Sequence, residues 1–441
     1  MNTISQLKLR PIHYYILVSA SMEQMIGAAL STLVGVIIPM MQLILHPGLS
    51  ALMQGVIGAA GLIGIGIGSV IIGRLSDRYG YLLWFRLCPI IIMAGSAIVY
   101  LLPSPWMLTL GFFICGIGVG GGYSLDSAYI SELMPQRWGS FMVGVAKAAC
   151  AVGFIGAAGV CWLMLRRSPE PQIWPRMAMI LGVSGAVALL LRIYWIESPV
   201  WLVAHGRTSD ALKAARRFFG SGVTVNPATA QQPQAQPISR MFHGMNLRRV
   251  IYSGIPWACE GVGVYGIGVF LPVLVMALGI ESASTVGIHK IADSVMITAA
   301  VNFFILPGFA AGLWMVAKNC NNKRMLTSGF VACAIGMAIL LAAYLLHWPV
   351  WVSLVGFIIF ELFLNGGPHL ITFIIPAKIF PIEDRGTGTG IASMLGKVGA
   401  VLGVFFMPLL LHWGGMTLVL IFTGATMLFG AAISAIYGRM V

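Results

Sequence analysis

The sequence predicts an all-α membrane protein whose twelve transmembrane helices form two six-helix bundles. Of its 441 residues, 59% are hydrophobic and only 9% are charged, whereas a soluble domain carries about 25% charged residues. Apolar runs of roughly 20 residues recur along the chain, and each is long enough to cross a hydrocarbon core about 30 Å thick. Because that core offers no water to the backbone, these runs are expected to be helices.

Twelve apolar runs reach the length of a membrane span. They lie near residues 13–40, 52–72, 84–103, 106–130, 141–164, 177–196, 250–278, 291–316, 326–347, 350–376, 389–411 and 416–437. The first run contains Glu23, and no small-residue cleavage site is evident. We therefore expect a retained first helix rather than a cleaved signal peptide.

The stretch between the sixth and seventh runs predicts two similar halves joined by a linker. It contains VNPATAQQPQAQPISR, which is too polar to pack a core. We expect a six-helix bundle at 1–196, a cytoplasmic linker at 197–248 whose short amphipathic helix is capped by Thr208 or Ser209, and a second bundle at 249–441. This arrangement suits alternating access, in which one bundle rocks against the other.

The distribution of basic residues predicts cytoplasmic N and C termini. With that orientation most of the 26 Lys and Arg residues fall on the cytoplasmic side, which satisfies the positive-inside rule. The net charge of +13 then reflects topology and anionic headgroups, so no nucleic acid partner is expected. The seven cysteines lack paired spacing, so neither a disulfide framework nor a metal site is expected.

The segment GRLSDRYG at residues 73–80 places two arginines and an aspartate between apolar runs. We expect Asp77 at the N-terminal end of a neighbouring helix, where the macrodipole favours an anion, and Arg78 beside an acid of the other half. Gly73 and Gly80 permit a tight turn. The segment therefore predicts a cytoplasmic latch, with a solvated turn that only sets topology as the alternative.

This segment resembles the G-x-L-a-D-r-x-G signature of the major facilitator superfamily. Three further stretches are similar to its sugar-porter-like branch, which includes sugar, organic-ion and phosphate:proton symporters. They are residues 116–139 (GIGVGGGYSLDSAYISELMPQRWG), 197–207 (ESPVWLVAHGR) and 367–400 (GPHLITFIIPAKIFPIEDRGTGTGIASMLGKVGA). The resemblance implies the major facilitator fold, with a solute pathway between the two bundles.

The resemblance also implies a cytoplasmic gate, although some residues depart from the family pattern. The implied gate residues are Gly73, Asp77, Arg78, Gly80, Glu132, Arg137, Glu197, Lys378 and Arg385. Phe112 stands where sugar porters usually carry an arginine, and Lys378 replaces their usual glutamate. Hexose is therefore a less favoured substrate, and the latch of the C-terminal half is expected to be rewired.

Several ionisable side chains fall within predicted spans, where such groups are costly and mark a pathway. The resemblance places the first, fourth, seventh and tenth helices around the solute pathway, and each of these carries an acid. A carboxylate that alternates between apolar surroundings and a cation can load and release a proton. Glu23 and Asp126 are thus predicted to couple protons, with Lys147 as their counter-ion.

Alternative interpretations of these charges stay open. In one of them Asp126 is a static partner of Lys147. In another, Glu361 lies at the extracellular mouth. Lys397 within GKVGA is expected to snorkel to the cytoplasmic edge, and His369 is as consistent with a structural as with a titrating role.

Depth and the family's binding helices predict a set of solute contacts. The members are Gln24, Lys147, Trp257, Glu260, Tyr265, Asn302, Glu361, His369, Thr372 and Phe373. Lys147 and His369 favour an organic anion slightly over a neutral sugar, because they can offset its charge. The glycine-rich runs GLIGIGIG and GIGVGGG favour close helix packing over a phosphate loop.

Together these features predict a secondary active transporter rather than an enzyme. It is expected to move a small polar organic solute, an organic anion or sugar-like molecule, by proton-coupled symport as a monomer in a bacterial inner membrane. No helix-opening G-x-x-x-x-G-K-[ST] occurs, so neither ATP nor another cofactor is expected. The alternatives are a drug/proton antiporter, disfavoured because the fifth run lacks proline, and a solute sensor that does not transport.

Overall fold

The computed structural model describes residues 2–3, 7–135, 138–224, 238–279, 287–381 and 385–439, almost all of them helical. The α-helices in the described part of the chain are α1 (Pro11–Ala20), α2 (Met22–Ile44), α3 (Ala51–Tyr79), α4 (Tyr81–Leu101), α5 (Pro105–Leu133), α6 (Gly139–Ala148), α7 (Cys150–Arg167), α8 (Trp174–Leu191), α9 (Pro199–Ala204), α10 (Thr208–Phe219), α11 (Gly244–Gly261), α12 (Gly268–Ala277), α13 (Ile288–Asn302), α14 (Ile305–Ala317), α15 (Asn322–Leu345), α16 (Val350–Gly366), α17 (Pro368–Ile379) and α18 (Arg385–Tyr437). A π-helix, Val262–Ile267, joins α11 to α12. Two short strands, β1 (Asn2–Thr3) and β2 (Val223–Thr224), pair in parallel.

The helical runs confirm the predicted all-α membrane class. In the described residues, 11 runs are long and apolar enough to span a membrane. The last, Thr387–Tyr437, is interrupted at Gly414 and Gly415, where Gly415 has a φ of 61°, so it contains two of the predicted spans. Large side chains such as Leu163 and Leu428 stay more than half exposed, as expected where helices face lipid.

Two local predictions from the sequence are wrong. The sixth span ends with α8 at Leu191 rather than near residue 196, because Arg192 begins a series of turns. The helix α10 begins at Thr208, and its N-cap residue is Arg207, which makes no side-chain cap bond. Thr208 and Ser209 therefore lie inside the helix and do not cap it. The stretch 225–237 of the predicted linker lies outside the described residues.

Several spans consist of two helical pieces with a break between them. The breaks lie at Ser21, Ala149, residues 262–267, residues 303–304 and Gly367. Each lies close to one predicted polar site residue, in order Glu23, Lys147, Glu260, Asn302 and His369. Discontinuous helices with free backbone groups are a common way to build solute and ion sites in transporters, and π-helical segments are frequent at functional sites.

The helices group into two compact units. Unit 1 comprises Met1–Ala28, Ile63–Gly153 and Ala178–Gln234, and unit 2 comprises Ala29–Leu62, Phe154–Met177 and Ala235–Val441. The division at residues 196 and 248 expected from the sequence stays a prediction.

Within unit 1, glycines allow α3 and α5 to pack backbone to backbone. A Cβ on Gly68 would lie 2.2 Å from the carbonyl oxygen of Ile117, and one on Gly120 would lie 2.1 Å from that of Ile65. Both distances are far shorter than a van der Waals contact, so neither position tolerates a side chain. The glycine-rich runs thus serve close helix packing, as predicted.

Candidate functional site

Unit 1 contains a fully buried arginine that is not among the site residues predicted from the sequence. Arg192 follows α8, and its side chain is fully buried. Its guanidinium donates to both carboxylate oxygens of Glu23. It also donates to the backbone oxygens of Ser19 at 2.9 Å and Phe85 at 3.2 Å. A planar fork of five donors is required for this set of bonds, so lysine could not replace it.

Aromatic rings enclose the guanidinium of Arg192. Its central carbon lies 4.8 Å from the ring centroid of Phe85 and 5.3 Å from that of Trp195. Tyr129 stacks on Trp195, with centroids 4.6 Å apart. This apolar shell removes water from the Arg192–Glu23 pair, which strengthens their attraction and makes the loss of either partner costly.

Asp126 is the second acid beside this arginine, and its environment differs from that of Glu23. Its Oδ1 lies 3.5 Å from Nη2 of Arg192. Among the described residues, neither of its carboxylate oxygens has a hydrogen-bond partner, although the residue is only 2% exposed. Two carboxylates therefore share one cation. If both were ionised the buried group would carry a net negative charge, which burial strongly disfavours.

The predicted counter-ion, Lys147, is not the residue that pairs with these acids. Its Nζ lies 3.5 Å from Oε1 of Gln24 and 5.7 Å from the ring centroid of Tyr123. Arg192 takes the counter-ion role instead. The one available signal was an arginine inside a predicted apolar run, and sequence alone did not connect it with Glu23 and Asp126.

Unit 2 contains a second polar group, which runs along α16 and α17. The amide nitrogen of Asn365 donates to Oε2 of Glu361 at 3.0 Å, and its Oδ1 lies 2.8 Å from Nδ1 of His369. Nε2 of His369 then lies 3.6 Å from Oε1 of Glu260 on α11. All four side chains are buried. Because the Asn365 amide nitrogen donates to Glu361, its Oδ1 can only accept, so the hydrogen bond to His369 places a proton on Nδ1.

The remaining predicted solute contacts of unit 2 make separate contacts. Glu361 and Asn302 line a small cavity together with Asn365. The rings of Trp257 and Phe373 pack edge to face with centroids 5.8 Å apart. The other two residues make different contacts. Tyr265 lies under Nζ of Lys397 at 5.6 Å, whereas Thr372 donates its hydroxyl to Pro368 in its own helix at 2.8 Å.

The gate residues of unit 1 converge on the start of α4. The Glu197 carboxylate accepts from the backbone N–H of Tyr81 at 2.8 Å and of Leu82 at 3.1 Å. Glu197, and not Asp77 as expected, therefore supplies the anion at this helix N-terminus. Gly80 has a φ of 93°, and a Cβ there would lie 2.3 Å from Oε2 of Glu197. Both facts require glycine at this position.

Other gate residues are placed around this cap or in unit 2. Glu132 accepts from the hydroxyls of Tyr81, at 3.2 Å, and of Ser198. The backbone oxygen of Asp77 accepts from Nε1 of Trp201 at 2.8 Å. Gly73 faces Ser124, Arg78 lies over the ring of Tyr79, and Lys378 is exposed at the end of α17. Arg137 and the side chain of Arg385 lie outside the described residues.

Glu132 makes the stability of this cluster depend on pH. It lies in the last turn of α5, past the apolar run at residues 106–130, and burial raises its pKa from 4.5 to about 7. The folded state then binds a proton that the unfolded state releases between pH 4.5 and 7. As the pH rises through that window, the free energy of unfolding should therefore fall by up to about 3 kcal/mol. Above pH 7 it should level off.

Replacing Glu132 by glutamine should remove this pH dependence. The amide resembles the protonated acid, so Glu132→Gln should match the wild type at pH 5 and exceed its melting temperature at pH 8. Thermal unfolding at both pH values measures the effect, with Glu170→Gln, at an exposed acid, as the matched control. Equal pH dependence in wild type and Glu132→Gln would contradict the assignment.

Comparison with known proteins agrees with the architecture. The family model described as "Sugar (and other) transporter" matches residues 3–437. An inner membrane metabolite transport protein of Escherichia coli, YgcS, is 25% identical over 88% of this chain and 82% of its own length. A putative metabolite transport protein of the same organism, YaaU, is 24% identical over 98% and 93%.

The fold is also that of a solved structure. The proton:xylose symporter XylE from E. coli, a major facilitator protein, is 18% identical, with a TM-score of 0.74 over 95% of this chain and 94% of XylE. At this identity the likeness shows the fold. Since the family model covers nearly the whole chain, this multi-pass membrane protein belongs to the sugar (and other) transporter family, a family of transporters and not of enzymes.

Proposed function

We propose that the protein is a proton-coupled symporter of a small polar organic solute, an organic anion or a sugar-like molecule, working by alternating access. The observation that carries the proposal is the pair of acids at one buried arginine in unit 1. Glu23 is held by two charge-assisted bonds from Arg192, whereas within the described residues Asp126 has only the 3.5 Å ion-pair contact. Asp126 is therefore the acid that takes up and releases the transported proton.

Protonation at Asp126 has a simple electrostatic consequence. With a proton on Asp126, Glu23 and Arg192 form a neutral pair, and the buried group carries no net charge. Without it, the group carries one negative charge in apolar surroundings, which favours a state in which water reaches the carboxylate. Loading and release of one proton thus biases two conformations, which is what coupling requires.

Polar groups close to the broken spans supply the proposed solute contacts. Lys147 and Gln24 offer a cation and an amide in unit 1, and Glu260 and His369 offer an acid and an imidazole in unit 2. This mixture suits a solute with both an anionic group and hydroxyl or amine donors. YgcS is named as an inner membrane protein and XylE as a proton:xylose symporter. The name of YgcS supports a bacterial inner membrane location, and that of XylE supports coupling to protons. We further propose that the protein imports its solute as a monomer.

Uptake into proteoliposomes tests the proposal. We expect an inward proton gradient to drive accumulation of at least one member of a panel of monocarboxylates, hydroxy acids and pentoses, and a protonophore to abolish it. Lys147→Gln should raise the KM for an anionic solute about tenfold and leave that of a neutral one unchanged, with Lys290→Gln as the control. Gradient-driven efflux would instead indicate an antiporter. Saturable binding without flux would indicate a sensor.

A further inference from the structure

We propose that a basic cavity in unit 1 binds the phosphate group of an anionic membrane lipid. The cavity has a volume of about 550 Å³. It lies between the end of α3, the start of α4, the turns after α8, and α10. Four basic side chains line it, and the rings of Tyr79 and Trp201 add aromatic walls. The basic residues are Arg86, Arg207, Lys213 and Arg217.

The acids of the cavity leave two of these cations unbalanced. Glu197 is committed to the N-terminus of α4 through Tyr81 and Leu82. Asp210 binds Arg207 at 2.9 Å and lies 3.9 Å from Lys213. In the part of the chain that the structure describes, Arg86 and Arg217 have no ion-pair partner. Nη2 of Arg86 donates to the backbone oxygen of Ile193 at 3.0 Å, so Arg86 offers its remaining donors and Arg217 its exposed guanidinium. Guanidinium groups of this kind suit a phosphate group, which accepts several charge-assisted bonds.

The cavity lies at the level where a lipid headgroup is found. Its lining includes Tyr79 and Leu82, at the ends of two spans. The apolar side chains of Ile193 and Tyr194 next to it are 49% and 70% exposed, which is expected beside lipid. The helix α10 buries Ala211, Ala215 and Phe219 against the protein and leaves its basic residues outward.

A lipid phosphate fits these features better than a soluble anion, although both share the chemistry. Basic pockets among transmembrane helices on the cytoplasmic side are typical lipid headgroup sites, and the predicted orientation places this cavity there. Its aromatic walls and the neighbouring lipid-facing surface would contact glycerol and acyl groups, which free phosphate lacks. Occupancy would tie α10 to the start of α4, next to the Glu197 cap, and so stabilise that arrangement of the gate.

Lipid binding by the full-length protein tests the site independently of transport. The detergent-solubilised wild type would be titrated with phosphatidylglycerol and with phosphatidylcholine, and bound lipid measured by native mass spectrometry. We expect preference for phosphatidylglycerol, and a weakening of about tenfold in its apparent affinity for Arg217→Gln and more for Arg86→Gln/Arg217→Gln, because each charge-assisted contact is lost. Melting temperatures without lipid check that each variant is folded.

Arg216 provides a matched control on the same helix. It is exposed like Arg217 but does not line the cavity, so Arg216→Gln should retain wild-type affinity. Equal weakening by Arg216→Gln and Arg217→Gln, or no weakening by Arg86→Gln/Arg217→Gln, would overturn the site. If millimolar inorganic phosphate or glycerol 3-phosphate displaces bound phosphatidylglycerol, the cavity binds phosphate groups, but its ligand is a soluble anion and not a lipid.

Discussion

Replacing Arg192 by methionine is expected to lower the free energy of unfolding by about 3–5 kcal/mol, the usual cost of breaking a buried ion pair. Two buried carboxylates, Glu23 and Asp126, would lose their cation, and the backbone oxygens of Ser19 and Phe85 would lose their donors. Thermal unfolding of the purified protein in detergent measures the change. The exposed Arg167→Met at the end of α7 is the control and should stay within about 0.5 kcal/mol of wild type.

A second variant separates charge from packing. Combining Arg192→Met with Glu23→Gln removes both members of the pair, and pairs replaced together by neutral groups often cost little. We therefore expect Glu23→Gln/Arg192→Met to recover much of the stability that Arg192→Met loses. If the double variant is no more stable than the single one, the pairing with Glu23 is not what Arg192 contributes, and its contacts with Asp126, Phe85 and Trp195 are.

Hydropathy predicted the spans because a bilayer constrains each one locally. The runs around α3 and α15 could be read from composition alone, since length and apolar character decide the outcome there. The glycine-rich runs could also be interpreted, because close packing requires small residues at helical spacing. None of these inferences needs knowledge of a distant partner.

The site could not be derived in the same way, because its contacts join distant parts of the chain. Glu23 and Asp126 were found as isolated acids, but their shared partner Arg192 lies 169 positions from Glu23 in the sequence. The breaks beside the site residues also lack a common local signal. Pro368 marks the one at Gly367, whereas nothing in VGVYGI marks the π-helix at residues 262–267. Tertiary packing determines these features.

Replacing Asp126 by asparagine should abolish accumulation driven by a proton gradient while leaving the fold intact. The amide keeps the shape of the side chain, and Glu23 still holds Arg192, so we expect a melting temperature close to that of wild type. Gradient-driven uptake in proteoliposomes should fall at least about tenfold, because the side chain that exchanges the proton is gone. Exchange of labelled for unlabelled solute needs no net proton movement and should persist.

Two comparisons make the result specific to the environment of Asp126. Asp293→Asn replaces a partly exposed acid on α13 and should leave accumulation unchanged. Glu23→Gln should mainly destabilise the protein, since that carboxylate accepts two charge-assisted bonds from Arg192. Full accumulation by Asp126→Asn would exclude this residue as the proton carrier. If Asp126→Asn loses exchange as well as accumulation, Asp126 contributes to solute binding. A residue that only couples protons is not needed for exchange, whereas a residue that binds the solute is.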